Sequence, residues 1–251
     1  MIKILLHGCC GAMGRVITSI AAEDNEIEIV AGIDKYAGTP CPYPVYPSLN
    51  DWNGQADAVV DFSAAAAVDE LLDFCESKKI PVVLCTTGLS ESQLKRAEEV
   101  SKSAAVLRSA NMSLGVNLLL KLVAEAAKIL AGAGFDMEIV EKHHNQKKDA
   151  PSGTALALAD SLNQALDQAY HNVFDRSQSH EKRDSKEIGI SSVRGGTIVG
   201  EHDVIFAGTD EVVTFSHTAY SKAIFAKGAL AAAKFLAGKA PGMYTMSDVI
   251  G

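Results

Sequence analysis

The sequence predicts an α/β protein in which a doubly wound parallel β-sheet is joined to a second, α+β domain. Two patterns in the first half indicate the sheet: short β-rich apolar runs alternate with segments of helical period, and a glycine-rich turn follows the first run. After residue 111 the pattern changes to helices followed by three β-type runs. We therefore expect one domain from residues 1–112 with 222–251, and a second from residues 113–221.

Five apolar runs in the first half have the length and composition of buried strands, at residues 2–7, 27–34, 57–62, 81–85 and 105–108. Segments with apolar residues three or four positions apart lie between them and predict helices at 13–22, 68–78 and 91–101. The stretch 39–47 holds four of the seven prolines, too many for a regular element, so we expect a loop there.

The second half begins with a predicted helix, a strand and, after a polar segment, another helix, at residues 114–130, 137–142 and 154–165. The charge-rich stretch 167–187 is expected to be a solvated excursion. Three β-type runs with an antiparallel pattern follow, at 188–194, 198–206 and 211–218. The alanine-rich helix predicted at 223–236 has the composition to pack back on the first domain.

Composition and charge exclude several classes of function. The net charge of −8 repels a phosphate backbone, and no stripe of Lys and Arg with interleaved aromatics offsets it, so we expect no nucleic-acid partner. The apolar runs are shorter than a membrane span and no targeting segment is evident, which predicts no membrane partner and a cytoplasmic location. The cysteines, at positions 9, 10, 41, 75 and 85, have no zinc-like spacing, so we expect reduced thiols and no metal site.

A glycine-rich turn with the spacing Gly-x-x-Gly-x-x-Gly joins the first strand to the first helix. Gly8 suits a tight turn, Gly11 would let the backbone approach a pyrophosphate, and Gly14 would permit close packing of helix on strand. Free N–H groups at the helix start, at Ala12 and Met13, would bind the anion. The turn therefore indicates a Rossmann-type dinucleotide site, although an ordinary strand–turn–helix has the same local pattern.

Asp34 stands 20 residues after Gly14, at a strand end where a carboxylate would accept hydrogen bonds from ribose hydroxyls; an ordinary surface aspartate is the alternative. Lys35 offers a cation for a 2'-phosphate, so the pair permits NADH or NADPH as cofactor. Two further turns contain small polar residues that could contact the cofactor, but the residue preferences of ordinary turns explain these residues about as well. These turns, which should lie at the carboxyl edge of the sheet, are Cys85-Thr86-Thr87 and Ser109-Ala110-Asn111-Met112.

The polar segment at residues 143–154 combines titratable donors with a helix start. Ser152 can cap the helix and leave the N–H groups of Gly153 and Thr154 directed at an anion, most naturally a carboxylate. Lys147 and a neighbouring histidine can add charge-assisted bonds and supply protons near neutral pH. A basic surface loop before an ordinary cap is the alternative, but a reductase that delivers hydride also needs a proton donor.

The residues Glu-Lys-His-His-Asn-Gln-Lys-Lys-Asp-Ala-Pro-Ser-Gly-Thr-Ala at 141–155 resemble the signature of the 4-hydroxy-tetrahydrodipicolinate reductase family. The resemblance covers essentially the full chain, and its His-His-x-x-Lys-x-Asp-Ala-Pro-Ser-Gly-Thr element is specific to that family. Further motifs match in order: the glycine turn, Asp61-Phe62-Ser63, Thr86-Thr87-Gly88, Ser109-Ala110-Asn111-Met112-Ser113, Arg194-Gly195-Gly196, Val199-Gly200-Glu201-His202 and Met246-Ser247-Asp248-Val249.

This resemblance implies a cytoplasmic homotetramer that reduces hydroxy-tetrahydrodipicolinate, a small dicarboxylate, to tetrahydrodipicolinate with NADH or NADPH on the diaminopimelate route to lysine. It implies that His143 is the acid/base residue and that Lys147 is a proton donor. The residues that would hold the substrate are His144, Lys147, Ser152, Gly153 and Thr154.

Three residues depart from the family pattern. Ala12 stands where Arg is common, which puts a preference for NADPH in doubt, and Cys85 stands where a glycine is usual. Lys148 occupies a position that is often apolar. Two alternative functions stay open: a reductase of another small carboxylate, and a sensor that binds a dinucleotide without catalysis and has no use for His143 or Lys147.

Overall fold

The computed structural model describes residues 1–36 and 40–251, so Thr39, the first residue of the predicted proline-rich loop, lies outside the described residues. Its main elements in chain order are β1 (Ile2–His7), α1 (Ala12–Ala21), β2 (Ile27–Ile33), β3 (Val45–Tyr46), β4 (Ala58–Asp61), α2 (Val68–Lys78), β5 (Val82–Leu84), α3 (Glu91–Val100), β6 (Ala105–Leu107), α4 (Leu114–Leu130), β7 (Asp136–His143), α5 (Gly153–Ala165), β8 (His171–Phe174), β9 (Glu187–Arg194), β10 (Gly200–Ala207), β11 (Val212–Ala219), α6 (Ala223–Leu236), β12 (Gly242–Tyr244) and α7 (Met246–Ile250). The chain divides into two compact units, Met1–Ser113 with Ala223–Gly251, and Leu114–Lys222.

The first unit is built on a parallel sheet in the strand order β12-β6-β5-β4-β1-β2-β3. The direction of winding reverses at β1, because β2 lies on one side of it and β4 on the other. The predicted doubly wound sheet is confirmed. Its two edge strands were not predicted because both are very short. Strand β3 has only two residues, inside the proline-rich stretch, and β12 has only three.

Both faces of this sheet are covered, which explains why its central strands are almost wholly apolar. Along β1, Ile4 and Leu6 belong to the core beneath α1 and α6, whereas Leu5 belongs to the core beneath α2 and α3. Helix α6 lies beside α1 and over β4, β5 and β6, in agreement with the expectation that the last long helix returns to the first domain. Its small residues permit a close approach: a Cβ on Gly228 would overlap the carbonyl oxygen of Met112.

The second unit carries a mixed sheet in the order β11-β10-β7-β9-β8, covered by α4 and α5 around one apolar core. Strand β10 pairs antiparallel with β7 and β11, as the pattern indicated, but β9 runs parallel to β7 and to β8. The expectation of an antiparallel β9 was wrong. Helix α5 lies in the long connection that leads from β7 toward β8 and β9, and such a crossover returns the chain in the same direction.

The charge-rich stretch 167–187 is exposed over most of its described residues, as its composition predicts, but it also contributes to the sheet. It contains β8, which pairs with β9, and two arginines that bind the sheet. Arg176 binds the buried Glu187 through Nη1, at 2.6 Å from Oε2. Arg183 donates to Glu138 at 2.9 Å and to the carbonyl oxygens of Met137 and Glu187. The two arginines therefore serve as hydrogen-bond donors to strand ends, whereas most other charged residues of the stretch are exposed.

None of the helices within residues 1–36 and 40–251 combines the length and the apolar composition that a membrane span requires.

Candidate active site

The glycine turn between β1 and α1 has the close backbone packing that its spacing predicts. Gly8 has a φ of +79°, and a Cβ there would stand 2.5 Å from the carbonyl oxygen of Phe62. A Cβ on Gly14 would lie 2.4 Å from the carbonyl oxygens of both Gly8 and Cys9. Gly11 is the N-cap of α1 and provides no side-chain cap, so the helix start that includes Ala12 and Met13 keeps its N–H groups for an anion.

Asp34 lies directly beside this turn. Its Oδ2 accepts the backbone N–H of Cys10 at 2.9 Å, and its Oδ1 accepts the N–H of Tyr36 at 3.0 Å. Each carboxylate oxygen keeps a second lone pair for a ligand hydroxyl. A cavity of about 380 Å³ is lined by four of the predicted cofactor residues, Gly8, Gly11, Asp34 and Lys35. The fold thus brings the glycine turn and the Asp34 carboxylate to one cavity.

Beside this cavity lies a buried histidine–carboxylate pair that the residue pattern did not reveal. His7 ends β1 and Asp61 ends β4, and the two strands are neighbours, so His7 Nδ1 lies 2.9 Å from Asp61 Oδ1. Burial alone would raise the pKa of Asp61, but the hydrogen bonds from the side chains of His7, Ser63 and Thr86 lower it. Both His7 and Ser63 line the cavity. The two residues are far apart in the sequence and meet only because β1 pairs with β4, so spacing along the chain did not predict their contact.

Seven more of the predicted cofactor residues lie on two turns outside the lining of this cavity. Thr86 is buried and its Oγ1 is 3.5 Å from Ser63 Oγ, while Thr87 is exposed and Cys85 half-buried beside it. Ser109 Oγ accepts the N–H of Met246 at 2.7 Å. Of the residues that follow, Ala110 is exposed, Asn111 accepts the N–H of Ser113, and Met112 is buried. Turn and packing contacts account for several of these side chains.

The proposed catalytic histidine lies in the second unit, at the end of β7. Alternate residues of β7 face the core, so Glu141 and His143 share one face. His143 Nδ1 is 2.6 Å from Glu141 Oε2, and the Glu141 side chain is fully buried. The other ring nitrogen, Nε2, lies 3.1 Å from the position that a Cβ on Gly200 would take. Glycine at 200 therefore keeps the space beside Nε2 open.

Arg194 completes the binding of this carboxylate. It stands opposite His143 in the register of β9 with β7, and it donates to both Glu141 oxygens, at 2.7 and 2.8 Å. The N–H of Ser152 donates to Oε1 at 3.1 Å. Burial would raise the pKa of Glu141, but the hydrogen bonds from Arg194, Ser192, His143 and Ser152 lower it to about 2.

An ionised Glu141 fixes the tautomer of the histidine. A carboxylate can only accept hydrogen bonds, so the proton between Glu141 and His143 belongs to Nδ1. Nε2 is then the ring nitrogen that gains and loses a proton. The arrangement suits an acid/base histidine that exchanges its proton at one defined atom.

Ser152 links the helix start to a second histidine. Its Oγ accepts the N–H of Ala155 at 3.2 Å, as expected of an N-cap of α5, and lies 3.0 Å from His202 Nε2. The ring of His202 meets that of His143 edge-on at 5.1 Å. Burial lowers the pKa of His202 to about 4, with a further contribution from His143, so His202 is neutral near pH 7. Gly153 is exposed, with nothing within 4 Å of an added Cβ, and the start of α5 is therefore open to a ligand.

Lys147 is connected to the Glu141–Arg194 network through Asp149. Its Nζ forms an ion pair with Asp149 Oδ2 at 2.9 Å, and the Asp149 carbonyl oxygen accepts from Arg194 Nη2 at 2.7 Å. The Lys147 side chain is 22% exposed, so a ligand can reach it. His144 is half-buried, and its carbonyl oxygen accepts the N–H of Lys147 at 3.1 Å. Lys148 is exposed.

Three residues of this network were given no role at the sequence level. Glu141, Arg194 and His202 occur in the sequence only as members of the motifs shared with the family. Glu141 had a usable signal, because residues two apart on a strand face the same side and His143 was already a candidate. Arg194 and His202 reach the site only through the pairing of β9 and β10 with β7.

Two protein-family models match this chain. Residues 2–112 match the family model "Dihydrodipicolinate reductase, N-terminus", and residues 115–250 match "Dihydrodipicolinate reductase, C-terminus". The chain belongs to the dihydrodipicolinate reductase family. The resemblance inferred from the motifs at 141–155 is confirmed, and so is the prediction of a nicotinamide-dependent reductase as the enzyme class.

Relatives of the dihydrodipicolinate reductase family span the full chain. The 4-hydroxy-tetrahydrodipicolinate reductase of Caldanaerobacter subterraneus subsp. tengcongensis is 55% identical over 250 residues, which cover 100% of this chain and 98% of the relative. That of Clostridium botulinum is 49% identical over 252 residues, with 100% and 99% covered. A dipicolinate-bound dihydrodipicolinate reductase from Paenisporosarcina sp. TG-14 has the same fold, with a TM-score of 0.81 at 24% identity over 98% of this chain and 97% of that one.

Proposed function

We propose that this chain reduces 4-hydroxy-tetrahydrodipicolinate to tetrahydrodipicolinate with NADH or NADPH, on the diaminopimelate route to lysine. One hydride and one proton are consumed, the C4–O bond breaks and one water leaves. Within this proposal residues 1–112 with 222–251 bind the dinucleotide, and residues 113–221 bind the substrate and form the oligomer interface. The observation that carries the proposal is the His143 ring, whose Nδ1 is held 2.6 Å from an ionised, buried Glu141.

A flat dianion fits the groups that surround this histidine. The open start of α5 offers the N–H groups of Gly153 and Thr154 to one carboxylate, and Lys147 offers a mobile cation to the substrate. The half-buried His144 adds a further donor. Ser152 plays a more indirect part than its place in the motif suggests, because its hydroxyl already serves Ala155 and His202.

His143 and Lys147 have different tasks in the proton step. With Nδ1 bound to Glu141, His143 carries its exchangeable proton on Nε2. Lys147 exchanges its bond with Asp149 for one to the substrate and serves as the second proton donor. General acid–base groups of this kind contribute about 10² to 10⁴ in rate.

The first unit has a site that fits a dinucleotide. Its glycine turn has no room for side chains at positions 8 and 14, the start of α1 is uncapped by a side chain, and Asp34 lies beside it. The Rossmann cofactor, when bound, supplies the hydride. The cofactor residues of this proposal are Gly8, Gly11, Ala12, Met13, Asp34, Lys35, Cys85, Thr86, Thr87, Ser109, Ala110, Asn111 and Met112.

The test combines calorimetry with steady-state kinetics. Pyridine-2,6-dicarboxylate, a flat dianion, should bind the wild-type chain tightly in the presence of NADH. His143→Gln and Lys147→Ala should each lower kcat by about 100-fold while the Kd for NADH stays within twofold, because neither residue lies in the dinucleotide-binding unit. Lys148→Ala, one position from Lys147 and exposed, is the matched control and should keep wild-type kcat.

The outcomes separate the proposal from its alternatives. If NADH binds but the dicarboxylate does not, the chain is a dinucleotide sensor; if kcat survives both substitutions, His143 and Lys147 are not the proton donors. The proposal also includes a cytoplasmic location and a homotetramer. Sedimentation of the purified chain at about four times the 26.5 kDa chain mass supports the tetramer, and a monomer contradicts it.

A further inference from the structure

Three cysteines meet beside the glycine turn although their spacing along the chain is unlike any metal motif. Cys9 and Cys10 follow Gly8 directly, and Cys41 comes from the proline-rich stretch. Their sulfur atoms all lie within 4.8 Å of one another, and none of the three is in a disulfide. The Sγ atoms of Cys9 and Cys10 are 3.9 Å apart.

This separation is the one that thiolates adopt around a single soft cation. A zinc–sulfur bond of about 2.3 Å at a tetrahedral angle places two sulfurs about 3.8 Å apart. The 3.9 Å between Cys9 and Cys10 needs no adjustment, and the other two distances need to close by about 1 Å at most. Thiolates favour Zn²⁺, Cu⁺ and related soft ions over Mg²⁺ or Ca²⁺.

The surroundings hold the three side chains while leaving one side accessible. Cys9 is fully buried, and a Cβ on Gly32 would stand 2.5 Å from its sulfur, so glycine at 32 makes room for this thiol. Cys10 and Cys41 are only half-buried. The backbone N–H of Cys10 is fixed by Asp34 at 2.9 Å. A cation can therefore enter from the side of Cys10 and Cys41 and take water as its fourth ligand.

We propose that Cys9, Cys10 and Cys41 form a binding site for a thiophilic divalent cation of the Zn²⁺ and Cd²⁺ class, and that an occupied site opposes binding of the dinucleotide. Three thiolates around a divalent ion carry a net charge of −1. Cys10 lies between Gly8 and Gly11, within the turn assigned to the pyrophosphate, so this charge repels the same anion that the turn attracts. The opposition between the two ligands rests on the proposed function; the metal site itself does not.

Cadmium titration of the full-length, reduced chain tests the site without any cofactor. Wild type should bind one Cd²⁺ per chain and develop the ultraviolet sulfur-to-cadmium charge-transfer band. Cys41→Ser should weaken this binding by tenfold or more and diminish the band. Cys75→Ala, which removes a buried thiol from a different core, is the matched control and should bind as wild type does.

A second variant, Cys10→Ala, covers the case in which Cys41→Ser does not fold, and circular dichroism verifies the fold of each. Equal Cd²⁺ affinity in Cys10→Ala, Cys75→Ala and wild type would overturn the proposal. Absence of binding in reduced wild type would overturn it equally.

Coupling to the cofactor is measured separately. Saturating Cd²⁺ should raise the Kd for NADH roughly tenfold, and NADH should raise the Kd for Cd²⁺ by the same factor, because linkage is reciprocal. Cys41→Ser should show neither effect, and the same titration of this variant corrects for cadmium that binds to the dinucleotide itself. An NADH affinity that ignores Cd²⁺ overturns the antagonism. If metal-free wild type fails to bind NADH, the proposed function fails while the cadmium result stands.

Discussion

Replacing Glu141 by glutamine tests whether the buried carboxylate controls both the stability of the second unit and the acid/base histidine. The substitution keeps the shape of the side chain but removes its charge. Arg194, whose side chain is 20% exposed, then loses its charged partner and the acceptor of one of its two bonds at 2.7 and 2.8 Å. The new amide group donates rather than accepts at one of its two ends, so it cannot serve all the donors to Glu141, which include Arg194, His143 and Ser152.

The expected loss of stability follows from the pKa of Glu141. Its fall from 4.5 to about 2 in the folded chain corresponds to about 3 kcal/mol in favour of the folded state. Removing one partner of a buried pair costs a similar amount, about 3–5 kcal/mol. Because a chain of this size loses about 2–4 °C per kcal/mol, we expect Glu141→Gln to lower Tm by roughly 10 °C.

The sign of the pH dependence gives an independent check. A carboxyl group whose pKa is lower in the folded state stabilises it fully above the unfolded pKa of 4.5. This stabilisation is lost as pH falls from 4.5 toward 2. Urea unfolding of wild type across this range should show the loss, and Glu141→Gln should lack the part that comes from this residue.

Catalysis should suffer beyond the stability loss. Without an acceptor at Nδ1 the ring of His143 is free to place its proton on either nitrogen, and we expect kcat to fall by about 100-fold at a temperature where the variant is folded. Glu201→Gln on the adjacent strand is the matched control. It loses an ion pair to Lys142 at 3.0 Å with both side chains about one-third exposed, which is worth at most about 1 kcal/mol. If Glu141→Gln has the Tm and kcat of Glu201→Gln, the assigned role of the carboxylate is wrong.

Three further results are expected. His202→Gln should lack the stability that wild type loses as pH falls from 6.5 to about 4, about 3 kcal/mol, since burial keeps this imidazole neutral in the folded chain while the unfolded chain takes up the proton; urea titrations at several pH values measure it. Gly14→Ala should destabilise by about 1–3 kcal/mol because its Cβ meets two backbone carbonyls at 2.4 Å, whereas Gly132→Ala, with 3.9 Å to its nearest neighbour, should not; calorimetric Tm values compare them. Lys35→Ala should lower the ratio of kcat/KM for NADPH over NADH, and an unchanged ratio would rule out a contact with the 2'-phosphate.

The fold could be predicted largely from burial. The central strands of the first unit are covered on both faces, so β1, β4 and β5 are mostly apolar and stand out from the helices between them. The strands that escaped prediction belong to sheet edges. Strand β3 sits among prolines and pairs through only two residues, and β8 lies in a stretch dominated by charge. In both cases pairing with a neighbouring strand, rather than local propensity, determines the structure.

The residues of the candidate site likewise differ in whether the local sequence or strand pairing positions them. The start of α5 with its cap Ser152 is encoded within a few consecutive residues, so spacing alone predicted it, and the structure has that cap. The partners that set the proton of His143 come from pairing: Arg194 faces His143 only because β9 runs parallel to β7, and an antiparallel β9 would have removed it from that position. The erroneous expectation for β9 and the absence of a role for Arg194 therefore have one cause. A residue whose function depends on strand register becomes predictable only once the direction of its strand is known.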